Sequence, residues 1–202
     1  HGNGMTEWTE CRIGQVVDLQ QGLCMNSKSK HLLAEEGHVL LRITDLINNT
    51  EDQYINREKV AEKFISSPED IIYTRTGQVG LVFKGRIGVV HNNCFKVIPT
   101  KELDSDFLFW ILKSQYAYDY ANGVASGAAQ PDLGHAPFKS MYIRFPKKKV
   151  QRKIAAILTA YDDLIETNKR RIALLEKMAE ELYREWFVRM RFPGHQNTKF
   201  VK

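Results

Sequence analysis

What this chain lacks narrows its function first. No Gly-Lys pair occurs in its 202 residues, so the phosphate-cradling Walker loop is absent. The six prolines (Pro68, Pro99, Pro131, Pro137, Pro146, Pro193) are never adjacent, which excludes the Pro-Pro-aromatic motif of amino-methyltransferases. No Asp or Glu stands two residues before a Lys, so half of a common nuclease site is missing, and Gly-x-Ser-x-Gly is missing too. The one Gly-x-Gly is Gly2-Asn3-Gly4, which with His1 reads as an expression scar ahead of Met5. Cysteine is scarce: Cys11, Cys24 and Cys94 are widely spaced, with no Cys-x-x-Cys. That pattern predicts reduced thiols in a cytoplasmic protein and speaks against a disulfide framework or a zinc site. The six histidines are scattered without ligand spacing, so no metal is expected. The longest apolar run is residues 107–112, far short of the roughly 20 residues of a membrane span. The N-terminus lacks the basic-then-apolar pattern of a signal peptide. Ser126, Gly127 and Asp132 lie in a Gly/Ala-rich stretch that reads as loop, and the chain reads as non-catalytic.

What is present is ordinary in bulk and uneven in distribution. Apolar residues make up 43% and charged residues 26%, as in a globular protein with room for one good-sized domain and an extension. Residues 1–148 carry 17 Lys and Arg against 17 Asp and Glu; residues 149–202 carry 12 against 7, and so hold the entire net +5. A neutral domain does not exclude DNA binding, because the local field decides that.

Local patterning predicts an α+β protein. Residues 12–19 suit a short helix and residues 26–30 a polar loop. Residues 38–44, 71–74, 79–84, 87–91, 94–98 and 141–145 read as short strands. Glycines and Asn92-Asn93 punctuate them, which implies a twisted, mainly antiparallel sheet. Asp104 or Ser105 caps a helix expected to run to about Tyr120, residues 123–137 read as loop, and Pro146 ends the last strand.

From Lys149 to Met190 there is neither Gly nor Pro. Apolar residues recur in alternating steps of four and three: Ile154, Leu158, Tyr161, Ile165, then Ile172, Leu175, Ala179, Leu182 and Trp186, with Asn168 as the polar break. A 3.5-residue repeat over more than four heptads is a coiled-coil seam. Such a helix would be about 60 Å long, too long to bury its stripe on one small domain. It predicts a second long helix, supplied by a homodimer when the chain is isolated. Asn168 either pairs with its mate to fix register or is a solvated interruption. A second flank of Ile157, Leu164, Met178 and Phe187 widens the stripe beyond a two-helix seam. These patterns divide the chain into a domain at residues 5–148, a long helix at 149–190 and a tail at 191–202.

Several motifs together resemble a known family. Ser126-Gly127-Ala128-Ala129-Gln130-Pro131 is followed, after a short strand, by Phe145-Pro146. Then come Gln151-Arg152-Lys153-Ile154-Ala155-Ala156-Ile157-Leu158, Asp162-Asp163 and Ile165. Upstream stand Asp70-Ile71-Ile72, the turn Arg75-Thr76-Gly77-Gln78-Val79-Gly80, and Trp8 with Ile13-Gly14. The succession is similar to the specificity (S) subunit of type I restriction–modification systems. The resemblance implies one target-recognition domain followed by one conserved-region helix. It implies no active site in this chain. It implies that double-stranded DNA is read here, and that methyltransferase (M) subunits, which carry S-adenosylmethionine, and restriction (R) subunits are positioned. A complete S subunit carries two such halves, so the chain is either a dimerising half-subunit or an N-terminal fragment. The tail, Glu185-Trp186-Phe187 through Arg191-Phe192-Pro193-Gly194-His195 and Lys199-Phe200-Val201, resembles the junction before a second domain and favours the fragment.

The resemblance also implies that the flank of Ile157, Leu164, Met178 and Phe187 meets M subunits. It transfers no base readers, so chemistry supplies those candidates. Lys28, Lys30, Arg42, Arg75, Thr76, Gln78, Lys84, Arg86, Asn92, Asn93, Gln130 and Lys139 are polar donors at turns and strand ends, suited to base edges or phosphates. Arg75 suits a structural role equally well. The run Lys147-Lys148-Lys149 with Arg152 and Lys153 is either a phosphate clamp or ordinary solvated charge. Outside the family, the same features fit a DNA-binding adaptor or a coiled-coil scaffold.

Overall fold

The computed structural model describes residues 8–125 and 131–198. By contacts the chain divides after Ala156 into two compact units. The first begins with β1 (Thr9–Arg12), a 3-10 turn at Ile13–Gln15, β2 (Val17–Gln21), and a second such turn at Ser27–Leu32. Next come β3 (Leu33–Ala34), β4 (His38–Leu41), α1 (Ile43–Asn48), β5 (Tyr54–Ile55) and β6 (Ile65–Ser66). Then follow β7 (Ile71–Thr74), β8 (Val82–Phe83), β9 (Gly88–Val90), β10 (Cys94–Pro99), α2 (Ser105–Leu112) and α3 (Gln115–Ala125). The unit closes with α4 (His135–Ser140), β11 (Tyr142–Phe145) and the first turns of α5 (Lys148–Tyr183).

The strands form three sheets among the described residues, ordered β1-β11, β2-β10-β7-β8 and β3-β5-β4-β9-β6. Every strand pair is antiparallel except β4 with β9. The fold is therefore α+β with antiparallel sheets dominant, as the pattern of short runs implied. Alternation across the four-stranded sheet explains its central strands. Ile71 and Tyr73 of β7, with Phe95 and Val97 of β10, enter the main core beside Ile13, Leu108, Leu112 and Phe138. Ile72 and Cys94 pack on the opposite face with Leu41, Leu46 and Val90. Side chains of successive strand residues point to opposite faces, so a strand covered on both reads as a continuous apolar run.

Four local expectations differ from the structure, through strand pairing or through short-range side-chain hydrogen bonds. Residues 12–19 are strand, 3-10 turn and strand, because β1 pairs with β11 and β2 with β10. The run from 38 to 44 stops at Leu41; the Arg42 backbone N–H donates to the Asp45 carboxylate at 3.2 Å and opens α1 instead. The helix expected from 104 to about 120 is two helices. The Ser114 hydroxyl donates to the Ile111 carbonyl at 2.6 Å and accepts from the Ala117 N–H at 3.3 Å, which ends one helix and starts the next. The expected loops at 26–30 and 123–137 contain a 3-10 turn, the end of α3 and all of α4; residues 126–130 lie outside the described set.

The first turns of α5 are fixed to the domain by one buried side chain. Gln151 accepts from the Asp104 backbone N–H at 2.7 Å and donates to the carbonyls of Glu102 at 3.0 Å and Pro146 at 2.9 Å. Ala155 and Ile154 complete the contact with the main core. In the second unit α5 runs on to Tyr183, a single wide π-turn covers Arg184–Val188, and Met190 takes a left-handed φ of 55°. The regular α-helix thus ends seven residues before the expected Met190.

Candidate nucleic-acid interface

Sheet register decides which of the polar candidates meet. The C-terminal ends of β2 and β7 and the N-terminal end of β10 lie together, because Gln21 and Tyr73 both stand opposite Phe95. Residues 22–24, the turn at 75–81 and the turn at 91–93 are therefore gathered at one end of the four-stranded sheet. Residues 131–133 join them: Thr76 bridges Asp132, the Gly77 N–H donates to the Pro131 carbonyl at 2.9 Å, and the Leu133 N–H donates to that of Arg75 at 2.8 Å. Gly22 allows the closest approach, since a Cβ there would fall 2.3 Å from the His91 carbonyl oxygen.

Arg75 is the hub. Its Nε and Nη2 donate to the Asp132 carboxylate at 3.2 and 2.6 Å, and its Nη1 donates to Gln21 Oε1 at 3.2 Å. Thr76 Oγ1 donates to the same carboxylate at 2.6 Å. These bonds, Thr76 first and Arg75 next, hold the Asp132 carboxyl below its ordinary range. The amide of Gln21 donates onward to the carbonyls of Asn92 at 2.6 Å and Cys94 at 3.2 Å. Within the 91–93 turn, the His91 pKa is lowered by burial first and by the Arg42 charge second, which favours the uncharged ring. That suits its Nδ1, which accepts the Asn93 N–H at 3.2 Å. His135 is lowered likewise, by burial and then by Arg75 and Lys139.

The other candidates are dispersed. Arg42 lies near the 91–93 turn through the His91-to-Leu41 backbone bond, but its guanidinium is bound to Asp45 at 2.7 and 3.0 Å and to Asp52 at 2.8 Å. Lys84 follows β8 at the opposite end of the sheet and is bound to Asp106 and Ser105. Arg86 is bound to Asn49 and to the Asp45 carbonyl. Lys28 and Lys30 are exposed on the 3-10 turn that follows Cys24, Gln78 is exposed in the 75–81 turn, and Lys139 is exposed on α4. Gln130 lies outside the described residues. In the basic run at the helix entry, Lys148 donates to the Lys101 carbonyl at 3.0 Å and Arg152 pairs with Asp104 at 3.2 Å, leaving Lys147, Lys149 and Lys153 exposed. Gln21 and Asp132 were not among the sequence candidates as site residues. Nothing local marks Gln21, and Asp132 gains its role only through Arg75, 57 residues upstream.

The second unit carries the seam and flank. Leu158, Tyr161, Ile165, Ile172, Leu175, Leu182, Ile157, Leu164, Met178 and Phe187 are all exposed in the single chain, as are Asn168 and Ala179, while Trp186 is half-buried. Ile154, the first seam position, packs against the core of the first unit instead.

Asp45 gives the domain a measurable acid response. Burial alone would push its carboxyl up, but hydrogen bonds from Arg42 and Thr50 outweigh that and hold it low. A depressed folded-state pKa contributes stability that is complete above the unfolded value of about 3.9 and is lost as pH falls through the folded one. Chemical denaturation from pH 6 down to pH 2.5 should therefore show falling stability, with a shallower fall in Asp45→Asn. An unchanged slope in that variant would assign the acid response elsewhere.

Comparison with known proteins decides the family. The model of the type I restriction modification DNA specificity domain matches residues 5–177. The chain belongs to that family. Its match to the type I restriction enzyme MjaIX specificity subunit of Methanocaldococcus jannaschii is 31% identical over 132 residues, 65% of this chain and 30% of that protein. The HindI specificity subunit of Haemophilus influenzae is 25% identical over 201 residues, 91% of this chain and 41% of that protein. The S subunit structure from M. genitalium superposes with a TM-score of 0.67 at 20% identity, over 92% of this chain and 47% of that one. The HsdS subunit of Thermoanaerobacter tengcongensis gives 0.62 at 16% identity, over 93% and 46%. This specificity-family chain thus spans less than half the length of each of these relatives. Among its described residues no helix is long and apolar enough to cross a membrane, and no group of three or more His, Cys, Asp or Glu is placed to hold a metal ion.

Proposed function

We propose that this specificity-family chain is a non-catalytic, cytoplasmic DNA-recognition component of a type I restriction–modification complex. Its domain reads one half of a bipartite duplex target. Its long helix pairs through the seam and presents the flank of Ile157, Leu164, Met178 and Phe187 to methyltransferase subunits, with restriction subunits joining the assembly. S-adenosylmethionine and the chemistry belong to those partners. The observation that carries the reading is the pairing of a polar loop cluster, built from four chain segments, with a helix whose apolar stripe is uncovered in the single chain. Lys28, Lys30, Lys139 and the entry lysines Lys147, Lys149 and Lys153 supply phosphate contacts in this reading. Arg42, Lys84 and Arg86 act as internal braces.

The test is methylome sequencing of cells that co-express the chain with the methyltransferase encoded beside it. Methylated adenine at a split inverted repeat is the expected result, because a two-fold reader recognises a two-fold target. No methylation with the chain alone, but methylation at an asymmetric split site after extension of its C-terminus, would assign it one half of a two-domain subunit. No methylation from either form would overturn the restriction–modification reading. Retention on duplex DNA at low salt would then favour an adaptor, and no retention a scaffold.

A further inference from the structure

We infer that Asn93 is a base-reading, specificity-determining residue of this domain, and that Gln21, Arg75 and Asp132 are the positioning residues that hold it. The inference rests on the DNA-recognition reading above. The other polar side chains around the turn are bound or buried. Arg75 has the fork geometry that suits guanine, but Asp132 and Gln21 occupy its Nε, Nη1 and Nη2. Arg42 is held by Asp45 and Asp52 through its Nε and Nη2. The Asn92 side chain has its Oδ1 buried without a hydrogen-bond partner and so withdrawn from a ligand, while its backbone N–H and carbonyl are bound to the Leu23 carbonyl and Gln21.

Asn93 is different. Its backbone is fixed at both ends: the N–H donates to His91 Nδ1 at 3.2 Å, and the carbonyl accepts from the Arg75 N–H at 2.8 Å. Its half-buried side-chain amide has no hydrogen bond to any described residue. A rigid backbone carrying an uncommitted carboxamide is what base reading requires, because affinity is lost when the reader must first be ordered. A carboxamide pairs in bidentate fashion with N6 and N7 of adenine in the major groove, so adenine is the base we assign to it. The turn is further braced by the His91 N–H on the Leu41 carbonyl and the Asn92 N–H on the Leu23 carbonyl. Gln21 and Arg75 tie it to β2 and β7, and Asp132 ties Arg75 to the segment that precedes α4.

The experiment is selection from a randomised double-stranded DNA library by the chain co-purified with its methyltransferase, followed by titration of the best site and of a scrambled duplex. The wild type should enrich a motif containing adenine at one position read by Asn93. Asn93→Ala should lose discrimination at that position alone, weakening the best site roughly 10- to 100-fold and leaving the scrambled duplex unchanged. Asn93→Asp, which can only accept, should shift that same position toward cytosine, whose N4 is a donor. Asp132→Asn should blur the same position, and the double variant Asn93→Ala with Asp132→Asn should discriminate there no worse than Asn93→Ala. A merely structural Asp132 would instead lower affinity for both duplexes alike. Wild-type enrichment with an unaltered motif in both Asn93 variants would overturn the inference and leave DNA recognition standing. No motif from the wild type would overturn the recognition reading itself, and this inference with it.

Discussion

Gln151→Ala is expected to lower the melting temperature by about 5–15 °C, the largest stability loss we assign to any single polar side chain here. The side chain is fully buried and makes three bonds, all to backbone. Its loss strands the Asp104 N–H and the carbonyls of Glu102 and Pro146. Each stranded buried group costs about 1–3 kcal/mol, and partial hydration of the vacated space brings the sum to about 2–4 kcal/mol. At roughly 2–4 °C per kcal/mol for a chain of this size, the shift is easily read by calorimetry. Gln151→Met separates polarity from packing, because it fills a similar volume without a donor or acceptor. Equal losses in the two variants would assign the effect to the hydrogen bonds. Wild-type stability in the methionine variant would show that volume alone matters and would end the anchoring argument.

The second expected result concerns the seam. If the helix pairs through the seam as proposed, the wild type should sediment as a dimer and Leu175→Glu combined with Leu182→Glu as a monomer in sedimentation velocity. Both leucines are exposed in the single chain and lie one heptad apart. Burying a leucine fully stabilises by about 1.5–3 kcal/mol, so four such side chains across a two-fold seam supply roughly 6–12 kcal/mol. Removing that much weakens association by at least about 10,000-fold, before the cost of desolvating the new carboxylates. Met178→Glu, on the flank, should weaken methyltransferase capture more than it weakens self-association. If that variant damaged both to the same degree, seam and flank would be one surface. A dimer that survived the double leucine change would remove the seam from the proposal.

The acid response of Asp45 and the selection experiment on Asn93 probe the domain; the two results above probe the helix. They differ in how much of each was legible beforehand. The helix could be read almost completely, because a 3.5-residue repeat is a local property and its N-terminal boundary follows from Pro146. Its last turns could not be read: the wide turn at Arg184–Val188 and the left-handed Met190 end regular α-helix with neither Gly nor Pro. In the domain, strands covered on both faces were visible as short β-rich runs at 71–74 and 94–98, the second interrupted only by Lys96. The segment 12–19 was misread because its periodicity suits a helix, while its real partners are β11 and β10, far away in sequence.

The loop cluster at the end of the four-stranded sheet divides the same way. Sequence by itself determined the family signature, the absence of known nucleotide-binding and nuclease motifs, the uneven charge and the 3.5-residue apolar stripe of the long helix, since all of these are carried by neighbours or by regular spacing. Tertiary structure alone decided which donors are spent and which are available. Arg75 looks identical on paper to any turn arginine; only its approach to Asp132, 57 residues on, and to Gln21, 54 residues back, makes it a brace. Asn92 and Asn93 are indistinguishable in sequence, yet the Asn92 side-chain oxygen is buried without a partner and that of Asn93 is not among the buried unpaired atoms. A hydrogen bond between distant residues depends on the register of strands that bring them together, and register is fixed by the packing of whole sheets.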